Sequence, residues 1–295
     1  MRVDPNYLIN LTGAINNSSA AEAQLTSELA SGLRVSSLSD DPVASAQSTL
    51  LNSAISQMDT YVQAANGVTS RMQAADSALG EAVTQLTTAL SVAARASNGT
   101  QNASDESAAA QQLAGIRDTI LSLANTSYAG SYLFGGSQGS TQPFTLDDST
   151  TPATVTYSGD TAAQKIVTPA GQSIQTNLPG DAVFTSALNA LNQMIADLNG
   201  PNPSTAATAD SAALQSAFNT VITQRATLDS SLSKLEASST YTQTQETNST
   251  AAQRTLVASD PTDVATQLSA SETQHEALLN VFSALGGVDL FNYMH

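Results

Sequence analysis

The sequence predicts a mainly α protein, an elongated antiparallel coiled-coil or helical-bundle rod formed by both chain ends, with a small β-rich outer domain inserted in the middle. Three observations carry this expectation. Apolar side chains step by three and four over long stretches near both ends. A Gly-, Ser-, Thr- and Pro-rich stretch with short alternating pieces separates them. The hydrophobic content, 41%, is dominated by alanine, with aromatic residues at 4% and no tryptophan. Alanine is the best helix former and adds little apolar area, so narrow seams between helices are expected in place of one broad core.

The first element is a terminal heptad, Leu8, Leu11, Ile15, Ser18, Glu22, Leu25 and Leu29, apolar at its ends and polar in its middle. A break from Gly32 to Pro42 follows. Asp40 and Asp41 precede Pro42, and a carboxylate followed by proline is what the first turn of a helix takes. The longest pattern then runs Leu51, Ala54, Met58, Tyr61, Ala65, Val68, Met72, Ala75, Leu79, Ala82, Leu86, Ala89 and Ala93. Such strict three–four alternation is a coiled-coil seam. With Asn98-Gly99 as its stop, the helix spans about 56 residues, roughly 84 Å at 1.5 Å per residue. Gly67 and Gly80 fall off this seam, and each costs about 1 kcal/mol against alanine.

Leu113, Ile116, Ile120 and Leu123 mark a shorter helix. From about residue 132 to 178 the texture changes, with pieces such as Thr154-Val155-Thr156-Tyr157 and Lys165-Ile166-Val167 that read as strands. Phe184, Leu188, Leu191, Ile195 and Leu198 mark another helix, bracketed by Pro179-Gly180-Asp181 and Asn199-Gly200-Pro201. A second long helix, capped by Asp210 and running to Val257, carries Leu214, Phe218, Val221, Arg225, Leu228, Leu232 and Leu235, then Ser239, Thr242, Glu246, Ser249, Gln253 and Leu256. After Asp260-Pro261 a last heptad runs Val264, Leu268, Ser271, His275, Leu278, Phe282 and Leu285. The expected division is therefore 1–40 with 258–295 as a terminal coiled-coil domain, 41–131 with 179–257 as a helical rod, and 132–178 as the outer domain. A terminal pair of helices with so few apolar seam residues is marginal alone, so its burial is expected to come from neighbouring copies.

Charge narrows the functional classes. Lys+Arg 9 against Asp+Glu 25 gives a net charge of -16. Counterion release from phosphates and attraction to anionic lipid both need clustered basic residues, so neither nucleic acid nor membrane is an expected partner. No continuous apolar run follows the N-terminus, so no cleavable leader is expected.

Chemistry-bearing constellations are equally sparse, and neither catalytic residues, metal ligands nor cofactor are expected. Asp40 and Asp41 are placed for capping and not for acid–base work. His275-Glu276 lacks a second histidine four residues on. Gly135-Gly136 is followed by no Gly-Lys-Ser or Gly-Lys-Thr and reads as a domain hinge. Cys 0 removes thiol chemistry.

Local motifs add a resemblance. Leu29-Ala30-Ser31-Gly32-Leu33-Arg34-Val35 and Ser39-Asp40-Asp41-Pro42-Val43-Ala44 resemble the N-terminal signature of the flagellin superfamily, the latter in the form of its hook–filament junction branch. Ala96-Ser97-Asn98-Gly99-Thr100 is similar to that superfamily's helix-ending motif. Tyr132-Leu133-Phe134-Gly135-Gly136 resembles the opening of the outer domain in the hook-associated protein 3 family, and Asp289-Leu290-Phe291-Asn292-Tyr293-Met294 resembles its ending. The resemblance implies a secreted structural protein of the bacterial flagellum, exported by the flagellar type III pathway with a dedicated chaperone. It implies a ring of copies between hook-associated protein 1 and flagellin. Two other readings are flagellin itself and a signalling coiled coil of the chemoreceptor kind, the latter disfavoured by the β insertion.

Overall fold

The computed structural model describes residues 5–98 and 101–292, which form two compact units. One comprises residues up to 57 together with those from 245 onward, and the other residues 58–244. Six α-helices and six short strands make up the described chain. Helix α1 is Pro5–Ser31, α2 Pro42–Ala96, α3 Ala103–Ala124, α4 Ser186–Leu198, α5 Pro203–Val257 and α6 Pro261–Asn292. Between α3 and α4 lie β1 (Ser127–Tyr128), β2 (Ser131–Tyr132), β3 (Phe144–Asp147), β4 (Thr154–Tyr157), β5 (Lys165–Val167) and β6 (Ser173–Gln175). The mainly α chain with long helices near both ends and a small strand-bearing middle is thus observed.

In the 58–244 unit the long seams are where the heptads place them. Ala65, Met72, Leu79, Ala82, Leu86, Ala89 and Ala93 of α2 are buried, as are Leu214, Val221, Leu228 and Leu235 of α5. The polar continuation of the α5 seam is buried too, at Ser239 and Thr242. A hydroxyl is tolerable there because Thr242 Oγ1 donates to Ser238 O within its own helix at 2.8 Å. Tyr61 Oη meets Ser238 Oγ across the seam at 2.9 Å.

Arg225 occupies a seam position that apolar residues would otherwise fill. Its Nε and Nη2 donate to the two carboxylate oxygens of Asp76 at 2.6 and 3.1 Å, a bidentate pair. Hydrogen bonding to Arg225 holds the Asp76 carboxyl below its ordinary range. Gly80 belongs to this arrangement, because a Cβ there would sit 3.4 Å from the Arg225 guanidinium. Gly67 has no such neighbour, nothing lying within 4 Å of an added Cβ. Gly67→Ala should therefore stabilise the chain by about 1 kcal/mol, read as a higher urea midpoint. An unchanged midpoint would mean that this part of α2 is not helical in solution.

Helix α3 opens with a capping box, Asn102 Oδ1 accepting from Asp105 N at 2.9 Å while the Asp105 carboxylate accepts from Asn102 N at 3.4 Å. Its buried Arg117 donates to Asp118 at 2.8 Å, to Asp148 after β3 at 3.0 Å and to Asn192 of α4 at 3.4 Å. One guanidinium thus joins three segments. The strands form three separate antiparallel pairs, β1 with β2, β3 with β4 and β5 with β6. Phe134, Phe144 at the start of β3 and Phe184 are fully buried, Phe184 in T-shaped contact with Phe134 at 4.9 Å and with Phe144 at 6.1 Å between centroids. Phe184 sits in a single π-helical turn, Asp181–Thr185, that leads into α4.

Two boundaries differ from the sequence expectation. The strand-bearing region begins at Ser127, a few residues early. Helix α5 begins at Pro203, so Asp210 is not its cap. A proline at the first helical position starts the helix one turn and more before the carboxylate that looked like the signal. Asp210 instead has one carboxylate oxygen buried without a hydrogen-bond partner. Burial first, and the Asp197 carboxyl beside it second, push its pKa up to about 6. A raised folded-state pKa gives stability that is present below the unfolded value of about 3.9 and is lost as pH rises through about 6. Asp210→Asn should accordingly raise the denaturation midpoint at pH 8 and leave it nearly unchanged at pH 4. Equal shifts at both pH values would contradict the repulsion.

Candidate assembly site

Within the terminal unit, α1 and α6 pack against one another and run antiparallel, Glu22 of α1 facing His275 of α6 while Leu33 just after α1 bridges Ala258 just before α6. Their seam is much poorer than those of α2 and α5. Leu11, Ser18 and Val264 are the buried side chains among those described in the two helices. Ile15, Leu25, Leu268 and Leu278 are half-buried, while Leu29 and Phe282 are exposed. The side chains of Leu8 and Leu285 lie outside the described residues. Further apolar groups face solvent, Tyr7 and Ile9 on α1 and Leu279 and Val281 on α6, with Ile9 69% exposed and Phe282 42%.

The linker between α1 and α2 is ordered by its own polar groups. Gly32, with φ +68°, ends α1, and its N–H bonds back to Glu28 O at 2.8 Å. The chain then pairs with the end of α5. Arg34 N and Val35 N both donate to Val257 O, at 2.8 and 3.3 Å, and Ser259 N donates to Gly32 O at 3.0 Å. Arg34 Nη2 donates to Leu256 O at 3.1 Å, satisfying a carbonyl that the helix end leaves free, and lies 3.4 Å from Asp41.

The two aspartates divide the work. Asp41 Oδ1 accepts from Val43 N and Ala44 N at 3.1 and 3.0 Å and caps α2, with Pro42 at the first helical position. Asp40 is not a cap. Its carboxylate gathers Ser36 N, Ser37 N and both serine hydroxyls at 2.8 to 3.1 Å, which folds the linker into a closed turn. Those donors, chiefly Ser37 N–H, lower its pKa to about 2. Asp260 repeats the capping arrangement for α6, accepting from Thr262 N at 2.9 Å with Pro261 first in the helix.

Tyr132, Phe134, Gly135 and Gly136 belong to the 58–244 unit, and their surroundings are tight. Phe134 O accepts from Gly180 N at 2.8 Å and from Tyr157 Oη at 2.9 Å. Tyr132 N donates to Gly139 O at 2.8 Å. Gly135 and Gly136 are buried, and Gly136 has φ +70° with the Asp160 carboxylate where a Cβ would stand. Close backbone approach and a left-handed turn are what require glycine here.

Three partners were not legible from the heptads. Asp76 across from Arg225 was invisible, because an exposed-looking aspartate at a non-seam position carries no period. The carbonyl-capping role of Arg34 depends on a chain segment more than two hundred residues away. The facing of Glu22 and His275 was foreshadowed only by both occupying seam positions.

Residues 6–139 match the bacterial flagellin N-terminal helical region. Flagellar hook-associated protein 3 of Escherichia coli (strain K12) is 28% identical to the chain, over 97% of the chain and 96% of that protein. The same protein of Salmonella typhimurium is also 28% identical, with the same coverage. Among solved structures, the flagellar junction protein FlgL from Legionella pneumophila superposes with a TM-score of 0.57 over 72% of this chain and 99% of its own, at 17% identity, a likeness of fold. Over nearly its whole length, therefore, the chain is similar to flagellar hook-associated protein 3, and its N-terminal side matches the helical region of bacterial flagellin.

Proposed function

We propose that this chain is a structural component of the bacterial flagellum that joins the hook to the flagellin filament, with the terminal helices as its assembling part. The observation that carries the second half is the under-buried seam of α1 and α6. Apolar side chains left in water at about 25 cal/mol per Å² are a driving force for association, and here they lie on both terminal helices together. Full-length relatives named hook-associated protein 3 support the junction role over that of flagellin, the filament subunit.

Around that role we place finer assignments. Hook-associated protein 1 lies on one side, flagellin on the other, and further copies of the chain complete a ring. Before export to the outside of the cell a flagellar chaperone holds the chain. The three-part division into terminal coiled coil, rod and outer domain describes the working parts, with Asp40, Asp41, Pro42, Asp260 and Pro261 fixing the joints between the first two. The role is geometric and requires no catalysis.

Purified protein tests this reading against the flagellin alternative. Added to rings of hook-associated protein 1, the chain should bind in a limited number of copies and then stop. Continued growth into filaments on flagellar seeds would make it a filament subunit instead.

A further inference from the structure

Midway along the α1–α6 seam the apolar sequence is interrupted by Ser18, Glu22 and His275. Ser18 Oγ, Glu22 Oε1 and His275 Nδ1 are shut off from solvent, and none has a hydrogen-bond partner. Glu22 Oε1 and His275 Nδ1 face one another across the helices at 3.9 Å, beyond hydrogen-bond length and within reach of an ion pair. The other edges of the two side chains remain about a fifth exposed, 23% for Glu22 and 22% for His275.

Burying such atoms costs free energy, and apolar residues of similar size in their place would hold two helices together at least as well. A polar pair in an apolar seam contributes something else, the choice of register. Here the heptads show what it selects against. Sliding α6 by one heptad along α1 would set Glu22 against Leu268 or Phe282, and His275 against Ile15 or Leu29. Each slipped arrangement would still offer an apolar pairing, Leu25 with Leu278 in one and Leu11 with Leu278 in the other. Only one register brings the two polar groups together.

We propose that Glu22 and His275 are specificity-determining residues that fix the register of α1 on α6, and with it the apolar face the pair presents to neighbouring copies. This rests on the assembly role of the terminal helices. The test is complementation of a gene-deletion strain with the full chain carrying Glu22→His, His275→Glu, or both. Each single exchange pairs like with like and should cut the fraction of filament-bearing cells about tenfold or more. The double exchange restores an acidic group facing a histidine and should return that fraction close to wild type.

Three variants as active as wild type would overturn the proposal. So would a double variant as impaired as the singles, since the residues would then not act as a pair. Amide hydrogen exchange over residues 58–244, unchanged in the purified variants, separates a register defect from failure to fold. Val281→Asp with Phe282→Asp serves as the parallel control. Normal filaments from that control would overturn the assembly role itself, whatever the pair does.

Discussion

Phe184→Ala should lower the unfolding free energy of the chain by about 3–5 kcal/mol, the largest effect expected of any single substitution here. The ring is fully buried and makes T-shaped contacts with both Phe134 and Phe144, so its loss removes transfer free energy and leaves a cavity bordered by those two rings. The surroundings have little freedom to collapse into the space. Gly180, whose N–H is bonded to Phe134 O, already touches the Phe144 ring so closely that a Cβ there would stand 2.7 Å from it. Arg117 holds the neighbouring β3–β4 loop to α3 and α4. Urea denaturation followed by far-ultraviolet circular dichroism measures the change. A loss below about 1 kcal/mol would mean that the strand-bearing region contributes little to the cooperative fold.

The second large effect concerns assembly and leaves stability aside. Val281 and Phe282 are each 42% exposed on α6 in the single chain. Replacing both by aspartate buries no new charge in the isolated protein, so its denaturation midpoint should stay within the range of surface substitutions, about 0.5 kcal/mol. In an assembly that covers these positions, each aspartate would enter an apolar contact with no partner, at several kcal/mol. Incorporation into flagella should fall to background while soluble protein remains folded. A variant that unfolds in isolation would place these side chains in the internal seam of the chain. One that assembles normally would place them at a free surface.

The contrast between these two predictions follows from which seams were legible in the sequence. The α2 pattern from Leu51 to Ala93 and the α5 pattern from Leu214 to Leu256 are read correctly residue by residue, because a long helix repeats its apolar spacing many times and each turn confirms the last. The polar stretch at Ser239 and Thr242 was legible for the same reason, period outweighing polarity. Starts were less legible. Asp41 caps α2 as its spacing with Pro42 implies, but Asp210 resembles a cap only because the Pro203 start carries no capping carboxylate.

The candidate site was half legible. Heptads place Leu11, Ile15, Leu25, Val264, Leu268 and Leu278 on facing sides of α1 and α6, and periodicity alone can do that. Periodicity cannot say how deeply a residue is covered, which is why Leu11 and Phe282, equivalent in the pattern, differ so much in exposure. Nor can it find Arg34 and Asp40, whose roles rest on backbone groups brought near by the fold. Gly136 is a further case. Its motif was visible, while the reason for glycine, a left-handed turn against Asp160, needs the strands in place.

Deleting the gene and examining the cells tests the junction role most directly. Hooks without filaments are expected, with flagellin monomers accumulating in the medium because nothing seats the first filament subunits. Restoring the full chain should restore filaments. Normal filaments on the deletion strain would contradict the junction role outright.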